Sequence, residues 1–220
     1  MKKIPSKKQK RLEEALKTPR DKYITEGKYP WLPALLDAYN IIDKGDEIEL
    51  ESITESNGRK IACSKGCSAC CLNPTVPINQ VELQGLSWYV SEVMDQEIYD
   101  RISPQLLNHD QTTTCCFLLD GVCTVYPVRP IACRTFHVFD KPCEEYEDVS
   151  KTRPEDIAHS HKQYLAWLVA QKLMPHLGAK GNKEKLFDEG FMVKNTRDLH
   201  TFGWEMFKDS CDKARKFLKK

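Results

Sequence analysis

The side chains best suited to inorganic chemistry in this 220-residue chain are its 10 cysteines. All but Cys211 fall within residues 61–143. A first group reads Cys63-Ser-Lys-Gly-Cys67-Ser-Ala-Cys70-Cys71, and a second comprises Cys115-Cys116, Cys123, Cys133 and Cys143. A thiolate is the soft, charged donor that zinc and the irons of iron–sulfur centres prefer. Two or three residues between cysteines let one tight turn aim both sulfurs at one ion. Gly66 supplies the backbone freedom such a turn needs, and small Ser68 and Ala69 avoid crowding it. Cys70 and Cys71 are adjacent, so their side chains diverge. At least one of them is left for a second metal, a second iron or no metal. Cys211 reads as an ordinary packed or free thiol.

Charge fits metal ligation. Four thiolates around a zinc ion leave a net charge of about −2, and so does a four-cysteine [4Fe–4S] cluster. Lys60, Lys65, Arg129, Arg134 and Lys141 lie close in sequence to the cysteines, where they can offset that charge or donate hydrogen bonds to sulfur. Pro127 and Pro130 bracket Val128-Arg129 and hold that stretch extended. Arg129 is therefore expected to meet a carboxylate or a sulfur-rich anionic centre. His137, between Cys133 and Cys143, can replace a cysteine as ligand. His159 and His161 are two apart and would not share a helix face.

The elements that must position these groups read as mainly helical. Leu12 and Leu16 share a face, as do Leu32, Leu35, Leu36 and Tyr39, with Gly27, Pro30 and Pro33 dividing that region. Residues 45–60 are polar and read as a connection with one short strand. Residues 78–107 have helical spacing, from Val81 to Ile102. Asp120-Gly121 between apolar runs predicts a type I′ hairpin. An ideal hairpin there sets 118 opposite 123 and 116 opposite 125, which puts Cys116 and Cys123 on one face and selects Cys116 over Cys115. Residues 153–177 and 195–219 are again helical, the first with a stripe of Ile157, Tyr164, Leu165, Trp167, Leu168 and Leu173. The expected fold is mainly α, with a loop-rich cysteine metal core and a short β-hairpin. It divides into an N-terminal helical extension (1–60), a cysteine-cluster metal-binding domain (61–145) and C-terminal helices packing on it (146–220).

The bulk properties narrow the function. A formal net charge of +1 gives no global field for nucleic acid or an anionic membrane. The ends are locally basic (Lys2, Lys3, Lys7, Lys8, Lys10 and Arg11; Lys213, Arg215, Lys216, Lys219 and Lys220) and read as solvated helix faces. No apolar stretch is long enough to cross a bilayer. The N-terminus lacks the apolar core of a signal peptide. The expected compartment is therefore the cytoplasm, where thiols stay reduced and cysteines in numbers point to metal ligation.

The segments CSKGCSACC (63–71) and CCFLLDGVCTVYPVRPIACRTF (115–136), with FDKPC ending at Cys143, resemble the CxxCxxCC family, also called the YkgJ type, a zinc- or iron-chelating domain. The resemblance spans about residues 61–145. It implies metal ligands at Cys63, Cys67, Cys70, Cys71, Cys115, Cys123, Cys133 and Cys143. Tyr126, Arg129, Pro130 and Arg134 match characteristic positions, with Arg129 and Arg134 taken as cofactor-binding. The family usually has proline after the fifth cysteine, where this chain has Cys116, so Cys115 and Cys116 both stay open as the ligand.

The expected function is binding of an iron–sulfur or iron centre with a redox or methyl-transfer role. The methyl-transfer part comes from a related domain in flagellin lysine N-methylase, where the resemblance implies an iron–sulfur cluster. The alternative is a structural zinc protein that docks a partner. The Cys63-x3-Cys67-x2-Cys70 spacing also occurs in radical S-adenosylmethionine enzymes, but the chain lacks the strand–helix alternation of their barrels. No Gly-rich dinucleotide loop is present. A protein or small-molecule partner is expected, and a membrane is not; the charge disfavours nucleic acid. Whether the chain is an enzyme stays open.

Overall fold

The long helix α2 organises the structure because its residues alternate between apolar and acidic faces, each of which finds a different partner. The computed structural model describes residues 6–64, 66–72, 75–107, 109, 114–160 and 162–218. Lys2, Lys3, Lys65, His161, Lys219 and Lys220 lie outside them.

Helix α1 (Lys7–Ala15) opens on a capping box in which Ser6 and Gln9 exchange hydrogen bonds. Helix α2 (Leu32–Asn57) starts with Pro33 in its first turn and ends at Gly58, whose φ of 70° closes the helix in the left-handed region. Residues 45–57 therefore continue the helix rather than forming a connection with a strand. Their polarity misleads because Asp46 and Glu49 are buried with partners, while Ile48 packs inward.

Helix α3 (Gln80–Trp88) passes through a single π turn at Tyr89–Val93 before α4 (Gln96–Leu107). The short helices α5 (Ile131–Arg134) and α6 (Val149–Thr152) lie within and just after the cysteine-rich stretch. Then come α7 (Gln163–Leu173), α8 (Lys183–Asp188), α9 (Phe191–Lys194) and α10 (Trp204–Leu218). Ile157 does not join the stripe on α7. It makes an isolated antiparallel bridge with Val138 instead.

Two antiparallel ribbons complete the fold. Strand β2 (Leu118–Leu119) pairs with β3 (Val122–Cys123), with Leu118 opposite Cys123. Asp120 (φ 50°) and Gly121 (φ 75°) turn between them as a type I′ hairpin requires. Strand β1 (Pro77–Asn79) pairs with β4 (Thr196–Asp198), a ribbon the sequence pattern did not reveal.

One apolar core joins Leu35, Tyr39 and Ile42 of α2 with Leu86 of α3, Ile102 of α4, Leu165 of α7 and Trp204 of α10. Helices α2 and α7 approach closely because Gly45 faces Leu165. A Cβ on Gly45 would stand 2.2 Å from a Leu165 methyl carbon. Of the basic ends, Lys8 pairs with Glu49 at 2.7 Å and Arg11 with Glu51 at 2.7 Å. Arg215 donates to the Val90 and Met94 carbonyls. No described helix is long and apolar enough to cross a membrane.

Candidate metal centre

The cysteine segments are sewn to one another by backbone hydrogen bonds. The Cys115 amide donates to the Cys71 carbonyl at 2.7 Å, which joins the first cysteine group to the approach to the hairpin. The Ala62 amide donates to the Val138 carbonyl at 2.8 Å, and the Asp140 amide to Lys60 at 2.7 Å. Arg59 locks that seam. It reaches Asp140 at 2.7 Å, also pairs with Asp156, and lies over the Phe139 ring. Arg153 holds the Cys143 loop by donating to the carbonyls of Lys141 (2.9 Å) and Pro142 (3.2 Å) while pairing with Glu147. Neither arginine stood out in the sequence: the fold alone brings Arg59 its carboxylates, and Arg153 holds the loop through backbone carbonyls.

All ten cysteines are free thiols. Several of the eight expected from the resemblance influence one another across long stretches of sequence. Cys71 feels Cys70, Cys115 and Cys123, and Cys133 feels Cys115, Cys70 and Cys123. Cys143 feels Cys63, Cys67 and Cys70. Burial pushes the thiol of Cys123 up to about 11, and the charge of Cys115 pushes the same way. Cys143 is also raised to about 11, first by burial and then by Cys63. Cys133 is raised further still by burial and by its three sulfur neighbours. Hydrogen bonds from Cys71 and Cys116 instead lower Cys70, to about 7, and Cys115. Crowded thiols that raise one another's pKa are a set that a cation would stabilise.

Cys115 and Cys116 take different environments. The strand begins only at Leu118, and the Leu118 amide turns back to the Cys115 carbonyl at 3.0 Å. This breaks the ideal hairpin alternation that favoured Cys116. Cys116 is 2% exposed and sits in the apolar core beside Phe117, whose ring packs edge-on against Trp204 at 5.7 Å. Cys115 stays at the boundary, within reach of Cys70, Cys71, Cys123 and Cys133. Cys211 is fully buried near Ser87, as a packed thiol should be.

Glu82 positions the segment bearing Cys133. One oxygen of its buried carboxylate accepts from the first amide of α5, Ile131, at 2.8 Å, and the other closes the capping box of α3 with Asn79. Burial pushes Glu82 up to about 7 despite those donors.

The two expected cofactor arginines differ. Arg129 is half-buried, stacks on Tyr126 at 3.8 Å and adds positive potential at Cys70 and Cys123. Arg134 is 3% exposed, and each of its three nitrogens serves the protein: Asp43 at 2.6 Å, the Pro127 carbonyl at 2.6 Å and the Arg129 carbonyl at 2.9 Å. It also lies over the Tyr39 ring. Lys141 pairs with Glu144 at 2.5 Å, and His159 is exposed. Beside the thiols a cleft of about 640 Å³ opens between α2 and the 126–137 segment, lined by Asp43, Asp46, Glu47, Tyr126, Arg129 and His137 among others.

Residues 62–159 match the model of the CxxCxxCC family, described as "Putative zinc- or iron-chelating domain". This segment is similar to the CxxCxxCC domain. The match begins just before Cys63, contains every cysteine except Cys211, and closes after the bridge at Ile157. No curated protein and no solved structure matches the chain. The donor set fits the chelation for which the CxxCxxCC domain is described, because free, mutually coupled thiols are the ligands that zinc and iron take. Among the described residues, no three His, Cys, Asp or Glu side chains already stand around a common metal position.

Proposed function

We propose that this segment binds an iron–sulfur or iron centre through Cys63, Cys67, Cys70, Cys71, Cys115, Cys123, Cys133 and Cys143, with a redox role. One observation carries the reading: the fold ties the second cysteine group to the first, the Cys115 amide donating to the Cys71 carbonyl at 2.7 Å, and every thiol in both groups is free. Such a centre would supply one-electron chemistry. Its potential responds to hydrogen bonds on sulfur, nearby charge and solvent access. The protein provides all three. Arg129 lies near Cys70 and Cys123, the antiparallel seam sets His137 opposite Cys63, and Cys67 and Cys70 are exposed. The adjoining cleft gives a protein or small-molecule partner a place close to the sulfurs. Arg134 contributes indirectly in this reading, by fixing the Arg129 backbone.

The number of candidate thiols suits a second reading. Eight cysteines suffice for two structural four-thiolate zinc sites. Anaerobic purification with metal and sulfide analysis and a visible spectrum separates the two. Brown protein with iron and sulfide in equal amounts supports the first. Colourless protein with two zinc ions per chain supports the second. Protein that takes up neither metal overturns both.

A further inference from the structure

A buried carboxylate joined to an imidazole lies opposite Cys63 on the antiparallel seam that leads into the first cysteine group. Asp46 projects from α2 and is 6% exposed. Its Oδ1 accepts from the buried Ser160 hydroxyl, and its Oδ2 lies 2.7 Å from His137 Nε2. The same nitrogen is 3.0 Å from the Arg134 carbonyl. Two acceptors meeting one nitrogen require that nitrogen to carry a proton, which fixes the ring's orientation. The antiparallel seam that pairs Ile61 with Phe139 and bonds the Ala62 amide to the Val138 carbonyl at 2.8 Å sets Cys63 opposite His137.

We infer that Asp46 and His137 are positioning residues that aim and stabilise the Cys63 sulfur as a metal ligand. The inference rests on the proposed function. A ligand on a loop gains affinity when a rigid element fixes its orientation, and the partners that do so lie just outside the ligand shell. Cys63 sits on such a loop, between the seam at Ala62 and the turn at Gly66, and α2 is the rigid element beneath it. Asp46 acts on Cys63 only through the ring. The pair also forms part of the cleft wall.

Cobalt(II) is the probe. The full-length wild type, His137→Gln, Asp46→Asn and Cys63→Ala are titrated against a competing chelator while the sulfur-to-cobalt charge-transfer band is followed. Tyr164→Phe is the control. It removes a hydrogen bond to Glu49 (2.9 Å) one turn further along the same face of α2. All three variants near Cys63 are expected to lose affinity. His137→Gln and Asp46→Asn should lose roughly ten- to a hundredfold and shift the band. A purely structural role would lower stability without moving the band, as expected for Tyr164→Phe. Wild-type binding with unchanged affinity and band in His137→Gln and Asp46→Asn overturns the inference alone, as does full affinity in Cys63→Ala. X-ray absorption showing an imidazole bound directly to cobalt, lost in His137→Gln, also overturns it. A wild-type chain that binds no cobalt overturns the proposed function as well.

Discussion

At the scale of single residues, neighbours in sequence do different jobs. Cys133 stands among other sulfurs, whereas Cys116 fills the apolar core. Cys133→Ala is expected to lose bound metal. Cys116→Ala should keep it and lose about 1 kcal/mol of stability, the scale of one small buried apolar group. Metal content by mass spectrometry and a denaturant midpoint read both; full metal in Cys133→Ala would remove it from the ligand set. Away from the cysteines, Arg20 grips both oxygens of Glu26, at 2.6 and 2.9 Å. That hydrogen-bonded contact holds the Glu26 carboxyl below its ordinary 4.5. The folded state therefore binds its proton less readily than the unfolded chain. The stability this contributes is complete above pH 4.5 and disappears as pH falls through the lowered value. Glu26→Gln should cost about 1.5 to 3 kcal/mol at neutral pH. The gap to wild type should close in acid, and a gap of constant size across an acid titration would show that the carboxylate's charge is irrelevant.

At the scale of elements, two opposing effects meet at Gly45. Alanine in a helix interior is favoured over glycine by roughly 1 kcal/mol. Overpacking a filled interface costs about 1 to 3 kcal/mol. Leu165 is fully buried and has nowhere to swing, so packing wins. Gly45→Ala is expected to lower the urea midpoint, and adding Leu165→Ala should cost less in that background than in wild type. An additive pair would mean that the two helices do not depend on this contact. The same contact explains what the sequence could reveal. The hairpin at Asp120-Gly121 was legible because two adjacent residues determine it. The ribbon of β1 and β4 was not, because residues 77–79 and 196–198 carry no sign of each other. The 45–57 stretch looked like a connection because buried acids cannot be told from solvated ones until Ser160, His137, Tyr164 and Lys8 are placed beside them. The cysteine groups were visible from spacing. Asp46, Arg59, Glu82 and Arg153, which position them, were not, because each acts on a partner at least 40 residues away or on backbone.

At the scale of the whole molecule, the helices and the cysteine loops are held by different forces. The helices share a continuous apolar core drawn from α1, α2, α3, α4, α7 and α10. The cysteine segments contribute Phe117, Val125 and Val128 to that core, but most of their thiols lie at its edge and repel one another once ionised. Arg59 and Arg153 sew the loops through partly exposed ion pairs, which are individually weak in water. Removing the metal should therefore loosen the loops without unfolding the helices, in keeping with the unequal stability of different parts of one fold. Hydrogen exchange on protein stripped with a chelator is expected to speed up across residues 61–64, 66–72 and 114–143. The amides of α2 and α7 should keep their protection, and helical circular dichroism should be unchanged. Exchange that rises everywhere would mean the metal holds the helical core as well. Exchange that rises nowhere would mean the thiols hold no metal that matters to the fold.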